Sequence, residues 1–312
     1  MWELGLWKSL AVQGDATGRG VKRLAALALG STMLCIAPAS AASPATESVA
    51  SAEVTKVVTF VVENKSLEQM KVGMPYTYGL AQEYGHATNF SALMHPSLPN
   101  YLAIASGSTQ GVEDDKSPSS HKLESPTVFA KAIANGKTAK MYMDGMFSDR
   151  CRQSNYGKYV VRHNAWAYFP GERALCERYD FDFKYFADDV DDGKLGNITQ
   201  VIAHNGNNAH DGTMETADNW IKSRMATIFA GPDWQSGKLA VVITADEDDR
   251  ESGNIVLTAV IHPSQHENVV TTPLSHYSLS RFYSEVTGTA PLLDAADAPS
   301  MADAFGLAVP AS

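Results

Sequence analysis

The chain has 312 residues, 44% hydrophobic and 19% charged, a composition of ordinary globular proteins that leaves room for one large domain or two small ones. Its formal net charge of −10 argues against nonspecific nucleic-acid binding, because a polyanion would be repelled. Outside the N-terminus no uninterrupted apolar run reaches membrane-spanning length, so no stable membrane insertion is expected of the mature chain.

Residues 1–41 read as an export signal. Arg19, Lys22 and Arg23 form a basic flank, LAALALGSTMLCIAPA an apolar core, and Ala39, Ala41 and Ala42 offer a small-residue cleavage site. The residues before the flank, 1–20, are long for such a signal and suggest a start further downstream. Cys35 follows Leu34, where lipid attachment would want a small residue. Removing the signal takes four basic and two acidic residues and moves the net charge from −10 to −12. It also leaves two cysteines, Cys151 and Cys176, which in an oxidising compartment read as one disulfide, the alternative being two buried thiols.

An Ala/Ser/Thr/Pro linker over 42–53 precedes a single domain over 54–288. VVTFVV (57–62) is β-branched and apolar throughout, as a strand buried on both faces should be, and it ends in Glu63-Asn64. HPSLPNY (95–101) follows, where Pro96 and Pro99 flank Ser97 ahead of an apolar run. Its hydroxyl is either a helix cap or a group held at the positive end of a helix, where an anion would sit. SPTVFAKAIANG predicts a helix capped by Ser125, with Pro126 in its first turn and Gly136 as its stop. TAKMYM (138–143) predicts a strand. Residues 147–192, rich in Tyr, Asp and Arg and without clear periodicity, predict an inserted cap or long loop pinned by the cysteines, with His163-Asn164 inside it. ITQVIAH (198–204) is a further strand, leading into a glycine-rich loop that bears His210-Asp211. A helix over METADNWIKSRMATIFAG, a strand LAVVITA (239–245) ending in Asp246-Glu247, a strand IVLTAVI (255–261) and a helix beginning near His276 and ending at Gly288 complete the pattern. Residues 289–312 read as a loosely packed tail.

Strand alternating with helix implies an α/β fold, a mostly parallel sheet with helices on both faces. In such sheets functional groups gather at the carboxyl edge of the strands. Carboxylates at two strand ends, Glu63 and Asp246, repel each other unless a divalent cation lies between them, and oxygen donors suit a hard or borderline cation. Asp248, Asp249 and Arg250 read as a solvated turn. No GxSxG surrounds Ser97, which disfavours a hydrolase-fold triad; a metal can take the place of the missing base.

In order along the chain stand ENKS, HPSLPNYLAIASGSTQGV, RHNAW, NAHDG with ADNWIK, TADED and LSHYSLSRF. This set, from about Val57 to Gly288, resembles the bacterial phosphoesterase family that holds acid phosphatases and phospholipase C enzymes, within the alkaline phosphatase superfamily. The serine segment is also similar to the nucleotide pyrophosphatase branch of that superfamily, which has threonine at the nucleophile. The resemblance implies an alkaline-phosphatase-like fold, a phosphate-ester substrate, a divalent metal and a phosphoserine intermediate on Ser97. It assigns Glu63, Asn64, Ser97, Asp246 and Glu247 to the metal. Asn100 would bond a nonbridging phosphoryl oxygen, and His163, Asn164, His210, Asp211 and His276 would bind phosphate or assist the leaving group. Two departures stand out: Lys65 replaces the histidine of ENHS, and Ala245 replaces an aromatic residue. A small acid phosphatase is favoured over a phospholipase C because no lipid-binding module follows. A noncatalytic binding protein on the same fold is the alternative of another class, and a sulfatase is disfavoured because LPNY after Ser97 lacks the arginine of C/S-x-P-x-R.

Overall fold

The computed structural model describes residues 52–311; the expected export signal and most of the linker lie outside them. Ten strands form: β1 (Lys56–Val62), β2 (Gly85–Ala87), β3 (Phe90–Ser91), β4 (Ala139–Met143), β5 (Asp180–Asp182), β6 (Ile198–Ile202), β7 (Leu239–Ala245), β8 (Thr258–Ile261), β9 (Asn268–Val270) and β10 (Leu274–Ser275). The helices are α1 (Leu67–Gly73), α2 (Pro75–Glu83), α3 (Ser97–Ser106), α4 (Val128–Ala134), α5 (Arg173–Tyr179), α6 (Phe186–Asp191), α7 (Met214–Ala230), α8 (Pro232–Gln235), α9 (His276–Val286) and α10 (Met301–Phe305), with short 3-10 turns between some of them.

Eight strands make one sheet in the order β5-β4-β6-β1-β7-β8-β2-β9. Every neighbouring pair is parallel except those of β8, which runs antiparallel to both β7 and β2. The apolar runs of β1, β6 and β7 are buried along their length because helices cover both faces. β1 shows the two sides directly. The Tyr283 hydroxyl of α9 donates to Thr59 Oγ1 at 2.7 Å, while the next residue, Phe60, meets Trp220 of α7 and Phe186 of α6 edge-on. Adjacent strand residues point to opposite faces, so α9 lies on one side of the sheet with α3 and α4, and α7 and α6 on the other with α1 and α2.

β1 occupies the centre, with β6 and β7 on its two sides, and its register with β7 pairs Val62 with Ala245. The residues that follow, Glu63 and Asp246, therefore leave the sheet side by side at its carboxyl edge. Strand order reverses about β1, which is where open α/β sheets place ligands.

Four expectations are corrected. The strand expected over 255–261 is shorter and antiparallel, since Ile255 instead accepts the Leu67 amide of α1. α4 is capped by Thr127, whose hydroxyl accepts Ala130 N–H at 3.1 Å, while Ser125 bonds Gln110. Residues 147–192 are more than a cap: they supply the edge strand β5 and the helix α6 that buries Phe186 against β1. The cysteines in that segment are joined, Cys151 to Cys176, which makes the expected disulfide. The C-terminal residues do not pack loosely. Met301, Ala302 and Phe305 are buried, and Val54 N–H donates to Ala308 O at 2.7 Å, tying the two ends of the domain together.

Candidate active site

Ser97 is the first residue of α3, and Pro96 is the residue that caps it without a side-chain hydrogen bond. The helix-cap reading of Ser97 therefore fails. Its hydroxyl turns to Glu63 Oε2, 3.3 Å away, and is almost wholly buried. All ten residues of α3 are buried, and the helix ends at Gly107 with φ 73°. A Cβ there would sit 2.2 Å from Leu292 O, so glycine is required both for the left-handed turn and for the close approach.

Glu63 is the hub. Tyr101 of α3 donates to its Oε1, and His163 Nε2 lies 3.1 Å from the same oxygen, with its ring stacked on Tyr101. Asn64 follows with φ 53°, a left-handed conformation that asparagine tolerates better than most residues, and its N–H donates to Asp246 Oδ1 at 2.9 Å. Burial alone would raise Glu63, but the adjacent imidazole and hydroxyl outweigh it and hold the carboxyl at about 2. Asp246 goes the other way: burial, then the charges of Glu63 and Glu247, push it well above the carboxylate range. Glu247 is raised to about 7, chiefly by burial, against the stabilising contact of His95.

Two buried oxygens here, Asn64 Oδ1 and Asp246 Oδ2, have no hydrogen-bond partner. Unsatisfied buried acceptors beside two mutually repelling carboxylates are the environment a hard cation relieves, and the donor set of Glu63, Asn64, Ser97 and Asp246 is all oxygen. Glu247 converges less. Its carboxylate is taken by His95 Nδ1 at 3.1 Å and by Asn100 Nδ2 at 3.4 Å. Glu63, Asp246 and Glu247 do not bring three ligand atoms within 4.8 Å of one another. Among the described residues the only His/Cys/Asp/Glu trio that does is Cys151, Cys176 and Asp180, and its sulfurs are bonded to each other.

A cavity of about 290 Å³ opens above Ser97, lined among others by Asn64, Asp115, Arg162, His210 and Glu247. His210 belongs to it as expected; its Nδ1 contacts Asp211 at 2.7 Å, and that hydrogen bond holds the exposed Asp211 below its usual range. Asp211 thus supports His210 from behind.

Three of the expected site residues are engaged by protein groups. Asn100 is wholly buried, accepting Leu93 N–H at 2.9 Å and donating to Met94 O at 2.7 Å, so it braces the loop before Ser97. Asn164 points away from its neighbour His163 and donates to Asp180 Oδ2 at 2.7 Å, beside the disulfide. His276 lies beneath the site: its Nε2 sits 2.6 Å from Asp246 O, and burial lowers it to about 4, so it is a neutral support. The expected solvated turn is also revised at Asp248. That residue is buried, accepts the N–H groups of Arg250, Ser252 and Asn254, and pairs with His95 Nε2 at 3.0 Å.

Sequence reasoning missed Asp115, Arg162, His95 and Tyr101. Arg162 stands next to His163 and Tyr101 sits one turn after Ser97, so both were within reach of the motifs. His95 opens the HPSLPNY segment two residues before Ser97 and was within reach too, whereas Asp115 carries no pattern that would single it out.

The sequence matches the phosphoesterase family over residues 54–287, and the chain belongs to that family. It is 31% identical over 148 residues to a phosphate-repressible acid phosphatase of Penicillium chrysogenum, a match covering 46% of this chain and 36% of that protein. It is 24% identical over 172 residues to a phosphatidylinositol-3-phosphatase of Mycobacterium tuberculosis, covering 54% and 56%. The matched part is thus well under two thirds of either relative. In structure it is similar to a protein in the alkaline phosphatase superfamily from Vibrio parahaemolyticus, with a TM-score of 0.53 at 10% identity over 76% of this chain and 67% of the other, a likeness of fold. No helix among the described residues is long and apolar enough to cross a membrane.

Proposed function

We propose that this chain is an exported, metal-dependent hydrolase of phosphoric esters, of the acid phosphatase kind, acting through a phosphoserine on Ser97. The observation that carries the reading is the buried Ser97 hydroxyl at the start of α3, set against Glu63 and facing a cavity that also holds Arg162 and His210. Family membership and the acid phosphatase relative support the reaction class. Glu63, Asn64, Ser97 and Asp246 would hold a divalent cation, with Glu247 close by; when bound, it supplies Lewis-acid charge at the nucleophile and offsets the two carboxylates. The dipole of α3 and the N–H groups of its first turn favour negative charge at the reacting phosphoryl group. Attack by Ser97 Oγ on phosphorus forms the O–P bond as the ester O–P bond breaks, and the hydroxyl proton passes to Glu63 Oε2, the oxygen it already bonds. His210, supported by Asp211, gives a proton to the departing alkoxide and then takes one from the water that attacks the phosphoserine, as the Ser97 Oγ–P bond breaks and the serine recovers its proton from Glu63. The basic flank and apolar core before residue 42, together with the Cys151–Cys176 disulfide, support export.

The test is hydrolysis of p-nitrophenyl phosphate by the purified mature chain, alongside bis(p-nitrophenyl) phosphate. The monoester is expected to turn over faster, activity to disappear with a chelator and return with added divalent metal, and Ser97→Ala to lose on the order of a thousandfold or more. Activity that survives Ser97→Ala would remove the covalent route. Preference for the diester would favour a phospholipase C-type enzyme, and no turnover with metal supplied would favour a noncatalytic binding protein.

A further inference from the structure

The Arg162 guanidinium is poorly matched to its surroundings. Its side chain is 19% exposed, its Nε is buried without a hydrogen-bond partner, and its nearest carboxylate oxygen, Asp115 Oδ2, lies 3.5 Å away. Its other polar contact is a long one, 3.4 Å from a terminal nitrogen to His210 Nε2. Five N–H donors with so few partners, on the wall of the cavity that holds Ser97, leave a fork free for a planar or tetrahedral anion.

Asp115 explains what occupies that place in the absence of an anion. Its Oδ1 accepts Leu98 N–H at 2.9 Å, the amide directly after the nucleophile, while its Oδ2 faces Arg162. One carboxylate thus bridges a first-turn amide of α3 and the guanidinium. Those are two donors that a phosphoryl group over Ser97 would use. Asp115 and Arg162 also line a second, smaller cavity of about 170 Å³, so the carboxylate borders space besides that over Ser97.

We infer that Arg162 is a phosphoryl-binding residue of this site and that Asp115 is an internal carboxylate competing with phosphate for Arg162 and the Leu98 amide. The inference rests on reading the cavity as a phosphoryl site. When phosphate enters, Asp115 releases the amide and the nonbridging oxygens take both donors. No bond is made or broken in this exchange.

The two residues must then act with opposite signs. The purified chain is titrated with inorganic phosphate by calorimetry, which needs no turnover and therefore separates this inference from the hydrolase reading. Arg162→Ala is expected to weaken phosphate about tenfold or more, the loss of a charge-assisted contact, with Arg162→Lys recovering part of it. Asp115→Asn is expected to tighten phosphate several-fold, because an amide competes poorly for an arginine. Where turnover is present, KM for p-nitrophenyl phosphate should move in the same directions as the phosphate affinity. A merely structural pair would weaken binding in both variants, so the same sign in both, or no change in either one, overturns the inference. Circular dichroism and melting of each variant confirm that a folded protein was titrated.

Discussion

Asp246 concentrates the electrostatic cost of the site. One of its oxygens has no partner, and its burial, then two acidic neighbours, push its proton affinity up. Replacing it by asparagine removes the repulsion along with a proposed metal donor. Asp246→Asn should therefore melt several degrees higher than the parent in the presence of a chelator, yet gain little when divalent metal is added, where the parent gains markedly; calorimetric melts with and without metal check this. The residues that follow buried strands were legible in the sequence, because acidic side chains at such positions need a reason. Ser97 was legible as a held hydroxyl, though not as a group facing Glu63. Asn164 was misplaced because adjacent residues in a tight turn point apart, and a motif does not say which of them faces the site. Asp115 was invisible because its partners, Leu98 of α3 and Arg162 of a distant 3-10 turn, meet only through the fold.

At the scale of elements, β5 and its surroundings carry the clearest pH signature. Asp180, in β5, is buried and raised to about 7 by that burial, despite contacts from Asn164 and the Cys151 amide. Below the ordinary value of 3.8 both folded and unfolded chains hold this proton. Between there and about 7 the folded chain keeps what the unfolded chain has lost, so this residue's contribution to stability declines as pH rises across that window and is flat above it. Asp180→Asn should melt higher than the parent at pH 8 and lose that advantage near pH 4, a difference on the order of a few kcal/mol across the range. The nearby disulfide ties the loop after β4 to α5, which leads into β5; replacing both cysteines by alanine should cost about 2–4 kcal/mol, measured by denaturant unfolding. The long apolar strands and the helices α7 and α9 were readable from composition and glycine stops. β2, β3, β9 and β10 have two or three residues each, too few for any periodicity to show, and α1 and α2 lie in a stretch without a strong apolar stripe.

Across the whole molecule, the ends of the domain meet. The amide of Val54 bonds Ala308, and α10 buries Met301 and Phe305 against the body that α9 begins. Ending the chain at residue 299 should therefore lower the melting temperature by roughly several degrees or more, although no residue of the site is removed. The alanine-rich composition there hid this, because small residues pack well without announcing an amphipathic face. The parallel architecture itself was legible from alternation alone, while the single reversed strand, β8, was not, since a buried apolar run looks the same in either direction. The complete burial of α3 has a further consequence. Beyond its first turn, its amides can reach solvent only when the molecule opens as a whole, so their deuterium uptake should be among the slowest in the chain and report global stability. The cavity loops around Asp115 and His210 exchange through local openings, and there a bound anion would register as slowed uptake. Ser97 thus sits at the boundary between a slow-exchanging interior and a fast-exchanging rim, and one labelling time course would read both.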